Sequence, residues 1–181
     1  MLDLNEILTV HGVAMDPFSP EPGQIRIDDI AHALSMLVRA NGHIDRFYSV
    51  AQHSLNCERE AAARGFAPST RRFCLLHDAT ECYLADLTRP VKRRLPQYRE
   101  AEAGLQRVIF AALCGAEPTD AQQRQIGEVD DCLLQHEFLR LRGVKLLAET
   151  PEMLGDCDFF VRPIEEIERQ FLEQYHILSG R

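Results

Sequence analysis

Residues 73–86 read FCLLHDATECYLAD, a run that is apolar except for His77, Asp78, Glu81 and Asp86 and two small or polar spacers. At about 100° per residue, Glu81 falls about 40° from His77 and Asp78 about 100° from it, while Phe73, Leu75, Leu76, Ala79, Cys82, Tyr83 and Leu84 fill most of the remaining girth. A helix that is apolar around most of its circumference is largely buried. Its polar stripe then either meets solvent along one edge of an amphipathic helix or lines an interior site. A buried, unpaired carboxylate costs several kcal/mol unless a cation compensates it.

Polar outliers elsewhere bear on that choice. In the helix expected to open at Ser49, His53 shares the apolar stripe of Val50, Cys57 and Ala61; taken alone, it also reads as a core histidine bonded to a carbonyl. Further on, Asp130 stands amid Ile126, Leu133, Leu134 and Phe138, whereas Asp131 is rotated toward the edge. His53, His77, Asp78 and Asp130 together make a two-histidine, two-carboxylate set, a donor chemistry that suits borderline-to-hard divalent ions. Water on such an ion has a lowered pKa, and Glu81, one turn beyond His77, can hold or deprotonate it.

The rest of the chain reads as helices. Residues 1–26 are loop-rich, and IDDIAHALSMLVRA predicts a helix over 27–40. Ser49 and Gln52 form an S-x-x-Q capping box for a helix to about Arg64, and PSTRRF starts the helix that carries the polar stripe. Further helices are expected over 97–114, over 119–142 behind the T-D-A-Q cap, and over 164–178, with 143–163 irregular. Little of the chain alternates with period two, so the expected fold is an all-α, compact multi-helix bundle forming a single domain over 1–181. The loops 1–26 and 143–163 are the places where a short strand fits.

Composition narrows the function. The chain has 181 residues, 45% of them hydrophobic, with 20 basic and 28 acidic side chains and a formal net charge of −8. That balance disfavours duplex nucleic acid and anionic membranes, and no apolar run approaches the roughly 18 residues of a membrane span. MLDLNEILTV has no basic leader region, and the six cysteines are scattered without a C-x-x-C pair, so a reduced, cytoplasmic protein is expected. Positive charge gathers in TRPVKRRLP, where Arg89 and then Lys92 are the candidates for a phosphate; a solvated basic turn is the alternative. His32 reads as a core histidine, and His11 has no evident partner.

The order His53, His77-Asp78, Asp130, with the stretches IDDIAHALSMLVRANGHIDRFYSVAQHS and LLHDATECYLADLTRPVKRRLPQY, resembles the HD-domain metal-dependent phosphohydrolase superfamily. The likeness is to a bacterial and prophage subgroup similar to HD-domain 5′-deoxynucleotidases, and it runs from about residue 10 to residue 142. It implies an all-helical hydrolase of nucleotide metabolism, holding one divalent ion (Co, Mn, Mg or Zn) on His53, His77, Asp78 and Asp130. It further implies that Glu81 assists the attacking water, that Asp86 lies near the nucleoside sugar, and that an arginine ahead of the first histidine, here Arg46, contacts the phosphate. Cys82 stands where an alanine is commoner.

The expected substrate is therefore a (deoxy)nucleoside 5′-monophosphate, with a homodimer as a possible assembly. The alternatives are a nucleotide phosphoanhydride (a triphosphate or alarmone) at the same site, and a non-catalytic HD module. No histidine lies between residues 79 and 129, which argues for one metal rather than two. One geometric condition attaches to Asp86. In an unbroken helix it falls about 180° from His77, so it reaches the site only if the helix ends or bends near Leu84.

Overall fold

Ser49 starts the helix around which the others pack. Its Oγ accepts the Gln52 backbone N–H at 3.2 Å, capping α2 (Val50–Ala63). The other half of the expected box is absent. The Gln52 amide instead donates to the carbonyls of Asp158 and Phe160 at 3.2 and 2.9 Å, reaching across to the C-terminal segment. The structure is a computed structural model that describes residues 4–180; residues 1–3, which begin the stretch read for a leader, and residue 181 lie outside it.

The fold is all-α, as expected. A two-stranded antiparallel hairpin, β1 (Ile7–Leu8) with β2 (Ala14–Met15), falls in the loop-rich N-terminal region. Then come α1 (Ile27–Met36), α2, α3 (Pro68–Leu76), two short helices α4 (Glu81–Leu84) and α5 (Arg89–Lys92), α6 (Pro96–Cys114), α7 (Asp120–Arg142) and α8 (Ile164–Ser179). Pro68 and Pro96 occupy first turns, where the missing N–H costs nothing. Thr119 and Gln122 form the complete capping box predicted for α7. Helix α2 packs against α1, α3, α7 and α8, and its Leu55, Cys57 and Ala61 join Leu75, Leu76, Leu133 and Phe171 in one core. No helix among the described residues is long and apolar enough to cross a membrane.

Two expected helices end early, and both departures shape the site. The first stops at Met36 instead of residue 40. Residues beyond it run extended and pair with the segment before α2, through Arg39 N–H to Tyr48 O and Val50 N–H to Leu37 O, both 2.9 Å. The chain then turns through Ala40 and Asn41 at φ 54° and 52°. Backbone pairing outweighs the helical pattern there, and it projects Arg39 inward. The second departure breaks the helix carrying the polar stripe. Between Leu76 and Glu81 the bonds close over three residues (Ala79 N–H to Leu76 O, Glu81 N–H to Asp78 O). Past Leu84, Ala85 adopts φ 71° and ψ 154°, a conformation that costs a side-chain-bearing residue about 1–3 kcal/mol. Tyr98 holds it by donating its hydroxyl to Ala85 O at 2.8 Å.

The irregular residues 143–163 lie as a strap over α2. Buried Glu60 accepts the backbone N–H groups of Leu154 and Gly155 at 2.9 and 2.7 Å, and Asn56 accepts that of Asp158 at 2.9 Å. A Cβ added at Gly155 would lie 3.0 Å from Glu60 Cα and N, which are backbone atoms that cannot swing aside. Gly155→Ala is therefore expected to lower stability by about 1–3 kcal/mol through overpacking. Denaturant unfolding measures it, and an unchanged midpoint would mean that the strap is not seated on α2 in this way.

Candidate metal centre

Two helices and a turn bring the predicted ligands together. His53 comes from the middle of α2, His77 and Asp78 from the turn after α3, and Asp130 from α7. His53 Nε2 lies 3.3 Å from His77 Nε2, 3.5 Å from Asp78 Oδ2 and 3.3 Å from Asp130 Oδ1. His77 Nε2 lies 3.3 and 3.8 Å from the same two carboxylate oxygens. Donors about 2.1 Å from one ion at tetrahedral angles stand about 3.4 Å apart. The separations of 3.3–3.8 Å are close to that value.

The far sides of both imidazoles are engaged. His77 Nδ1 meets the Cys74 carbonyl at 2.7 Å, and His53 Nδ1 meets Glu137 Oε1 at 2.5 Å. A carbonyl can only accept, so His77 carries its proton on Nδ1; a carboxylate favours the same tautomer in His53. Both Nε2 lone pairs are thereby turned toward the shared focus, as in metal sites where an outer acceptor orients each ligand histidine.

A softer donor is also near. His53, Cys57 and His77 offer ligand atoms all within 4.8 Å of one another, and this group can hold a metal ion. Cys57 Sγ is 3.5 Å from His53 Nε2. Burial first, then Asp130 and Glu137, push the Cys57 thiol far above its ordinary pKa, so it favours the protonated form, which is a poor ligand. The carboxylates behave oppositely. Burial opposes ionisation of Asp130, but hydrogen bonds from His53 and His77 outweigh it and hold the acid well below 3.8. Burial likewise acts against charge on His77, yet Asp78 and Asp130 raise its pKa well above 6.5. Mutual attraction between imidazoles and carboxylates marks a focus of negative charge that favours any cation, proton or metal.

The two carboxylates of the cluster, Asp78 and Asp130, line a cavity of about 460 Å³, with His53 and His77 behind them. Its polar rim includes Arg39, Glu81, Asp86, Arg89 and Lys92, and its apolar wall includes Leu87, Leu134, Phe138 and Leu146. Glu81 is buried, with Oε1 receiving Lys92 Nζ at 3.1 Å and Oε2 left without a partner. Burial, then Asp78 and Asp86, raise its pKa well above 4.5. Lys92 also bonds Glu102 at 2.5 Å. Arg89 forks onto Asp130 Oδ2 at 2.7 Å and Asp131 Oδ1 at 2.6 Å, so Asp131 faces the rim while Asp130 faces the histidines. Asp86 does reach the cavity: the helix ends at Leu84, and Asp86 Oδ2 receives the Ala40 N–H at 3.0 Å.

No family model matches the chain. A protein of Rhodobacter capsulatus named "Uncharacterized protein RCAP_rcc00048" is 32% identical over 183 aligned residues, covering 92% of each chain. The chain belongs to that protein's family. A protein of Escherichia coli named "Uncharacterized protein YfdR" is 43% identical over 86 residues, a match spanning 47% of this chain and 45% of that protein. Neither name states an activity.

Some expectations need correction. Arg46, expected at the phosphate, is exposed and forks onto its neighbour Asp45 at 2.8 Å, and it does not line the cavity. The arginine that does is Arg39, which no sequence motif singled out. Its guanidinium reaches Asp78 Oδ2 at 3.3 Å, Asp130 Oδ1 at 3.6 Å, Glu137 Oε2 at 3.4 Å and His53 Nε2 at 3.2 Å. Its one sequence signal is a basic residue closing an apolar helical run, SMLVRA. Glu137 had a signal too, its seven-residue spacing from Asp130, which places the two on one face of α7. Among the other histidines, His11 pairs with Asp29 at 2.7 Å, and His32 meets Glu168 on α8 at 3.0 Å, outside the core.

Proposed function

We propose that the chain is a metal-dependent phosphohydrolase of the HD-domain type, releasing phosphate from (deoxy)nucleoside 5′-monophosphates. The observation that carries the reading is the four-donor cluster of His53, His77, Asp78 and Asp130, whose two carboxylates line a cavity shared with Arg39, Arg89 and Lys92. One divalent ion (Co, Mn, Mg or Zn) held by those four residues would supply a hydroxide near neutral pH and polarise the phosphoryl oxygen.

The chain's own groups do the rest. Arg89 is half exposed, and an exposed ion pair contributes only about 0–1 kcal/mol, so it can leave Asp131 for a phosphate at small cost. Arg39, beside the donor cluster, and Lys92, beside Glu81, add positive charge and offset the negative charge that grows in the transition state. Glu81, which lines the cavity and has one carboxylate oxygen without a partner, accepts the proton of the attacking water. Asp86 accepts a hydrogen bond from the sugar, and the Leu134–Phe138 side of the cavity receives the base.

The test is a phosphate-release screen over nucleoside mono- and triphosphates with each of the four metals. Release from monophosphates supports the reading. Cleavage confined to triphosphates would move the substrate to the anhydride class, and bound metal with no release from any substrate would leave a non-catalytic HD module. The same assay separates the two arginines. Arg39→Lys keeps the charge but loses the planar fork, and is expected to cut turnover about 100-fold. Arg46→Ala is expected to change it by less than about twofold. Equal losses from both would return the phosphate to Arg46.

A further inference from the structure

A second polar chain lies behind the metal cluster, away from the cavity. Asn56, Tyr48 and His53 are fully buried and Glu137 is 2% exposed, yet their polar groups form one connected series. The Asn56 amide donates from Nδ2 to the Tyr48 hydroxyl at 2.9 Å, and that hydroxyl donates to Glu137 Oε1 at 3.0 Å. Glu137 Oε1 also faces His53 Nδ1 at 2.5 Å, and Arg39 Nε lies 3.4 Å from Oε2. The start of the series is anchored in the strap. Asn56 Nδ2 donates to Asp158 O at 2.7 Å, and its Oδ1 accepts Asp158 N–H at 2.9 Å and Arg59 at 3.0 Å. Phe159 stacks on Tyr48 at 6.2 Å between centroids, closing this face.

Donor and acceptor roles leave one arrangement. An amide nitrogen can only donate, so the phenol accepts from Asn56 and passes its own proton toward the carboxylate. The carboxylate can only accept, so His53 presents N–H at Nδ1 and a lone pair at Nε2. A buried network of this kind is stable only when every member is satisfied, and it gives the ring one tautomer and one orientation. We infer that Glu137, held by Tyr48 and Asn56, is a positioning residue that sets His53 for the metal, and that the 158–160 strap holds this relay in place. The inference rests on the reading of His53 as a ligand, but its test does not need turnover.

The experiment uses the full chain. Co²⁺ binding is measured by competition with a chelator, and the His53 Nδ1–H proton is followed by NMR in the Zn²⁺-loaded protein. Glu137→Gln is expected to weaken Co²⁺ about 10- to 100-fold, and to shift the Nδ1–H resonance upfield as its acceptor loses charge. Tyr48→Phe, which keeps the ring and removes the hydroxyl that donates to Glu137 and accepts from Asn56, should move both in the same direction by less. If Glu137→Gln does not fold, Tyr48→Phe carries the test alone. A folded variant with Co²⁺ affinity within about twofold of wild type and an unmoved resonance overturns the relay. A wild-type chain that binds neither metal overturns the proposed function instead, and the Nδ1–H proton of the metal-free chain then decides the relay.

Discussion

Replacing His77 with alanine is expected to abolish phosphate release while the chain remains folded. The imidazole supplies one of four donors, and its Nε2 lies 3.3 Å from both His53 Nε2 and Asp78 Oδ2. Without it the cluster keeps one nitrogen and two carboxylates. Retention of the ion falls, and with it the supply of hydroxide near neutral pH. No other group in the cavity can replace several orders of magnitude in hydroxide supply. His77 is the residue after α3 and is bonded only to the Cys74 carbonyl on its far side, so its removal leaves the core intact. Metal content and turnover should fall together while the melting temperature of the chelated protein stays near wild type. Normal turnover in His77→Ala, or in wild type after exhaustive chelation, would end the metal mechanism.

Glu81→Gln should separate metal binding from chemistry. Glu81 is not one of the four clustered donors, so the variant is expected to keep its metal and lose about 10²- to 10⁴-fold in turnover, the usual contribution of a positioned general base. Its pH behaviour is the sharper readout. Burial, then Asp78 and Asp86, raise the Glu81 pKa well above 4.5, while Arg39 and Lys92 pull against them. A base works only when ionised, so wild-type turnover should climb with pH through the raised value, on a limb above the ordinary carboxylate range. Glutamine cannot titrate, and that limb should disappear. A variant with the wild-type limb intact would assign the proton to another group.

Much of the candidate donor cluster is legible because its signals are anomalies against burial. His53 and Asp130 sit on stripes that are otherwise apolar, and the helical wheel ties the reach of Asp86 to a break near Leu84, where the helix does end. Arg39 and Glu137 were not read as site residues. A basic residue at a helix end and an acidic one inside a charged helix are ordinary in sequence, and only the partner tells whether such a group faces water or a buried charge. Arg46 shows the converse: it has a suitable side chain near the right position, but its neighbour Asp45 holds it at the surface.

The sequence by itself determined that the chain is helical, where most helices start, and which four donors stand out from their surroundings. Those are properties of period, capping and composition, and they act within a few residues. Only the tertiary structure decided where the stripe-bearing helix breaks, which arginine enters the cavity, and how the strap reaches His53 through Asn56, Tyr48 and Glu137. Each of these depends on a bond between residues far apart in the chain, such as Val50 N–H to Leu37 O or Asn56 to Asp158. Local pattern holds no record of which distant group will satisfy a buried donor or charge.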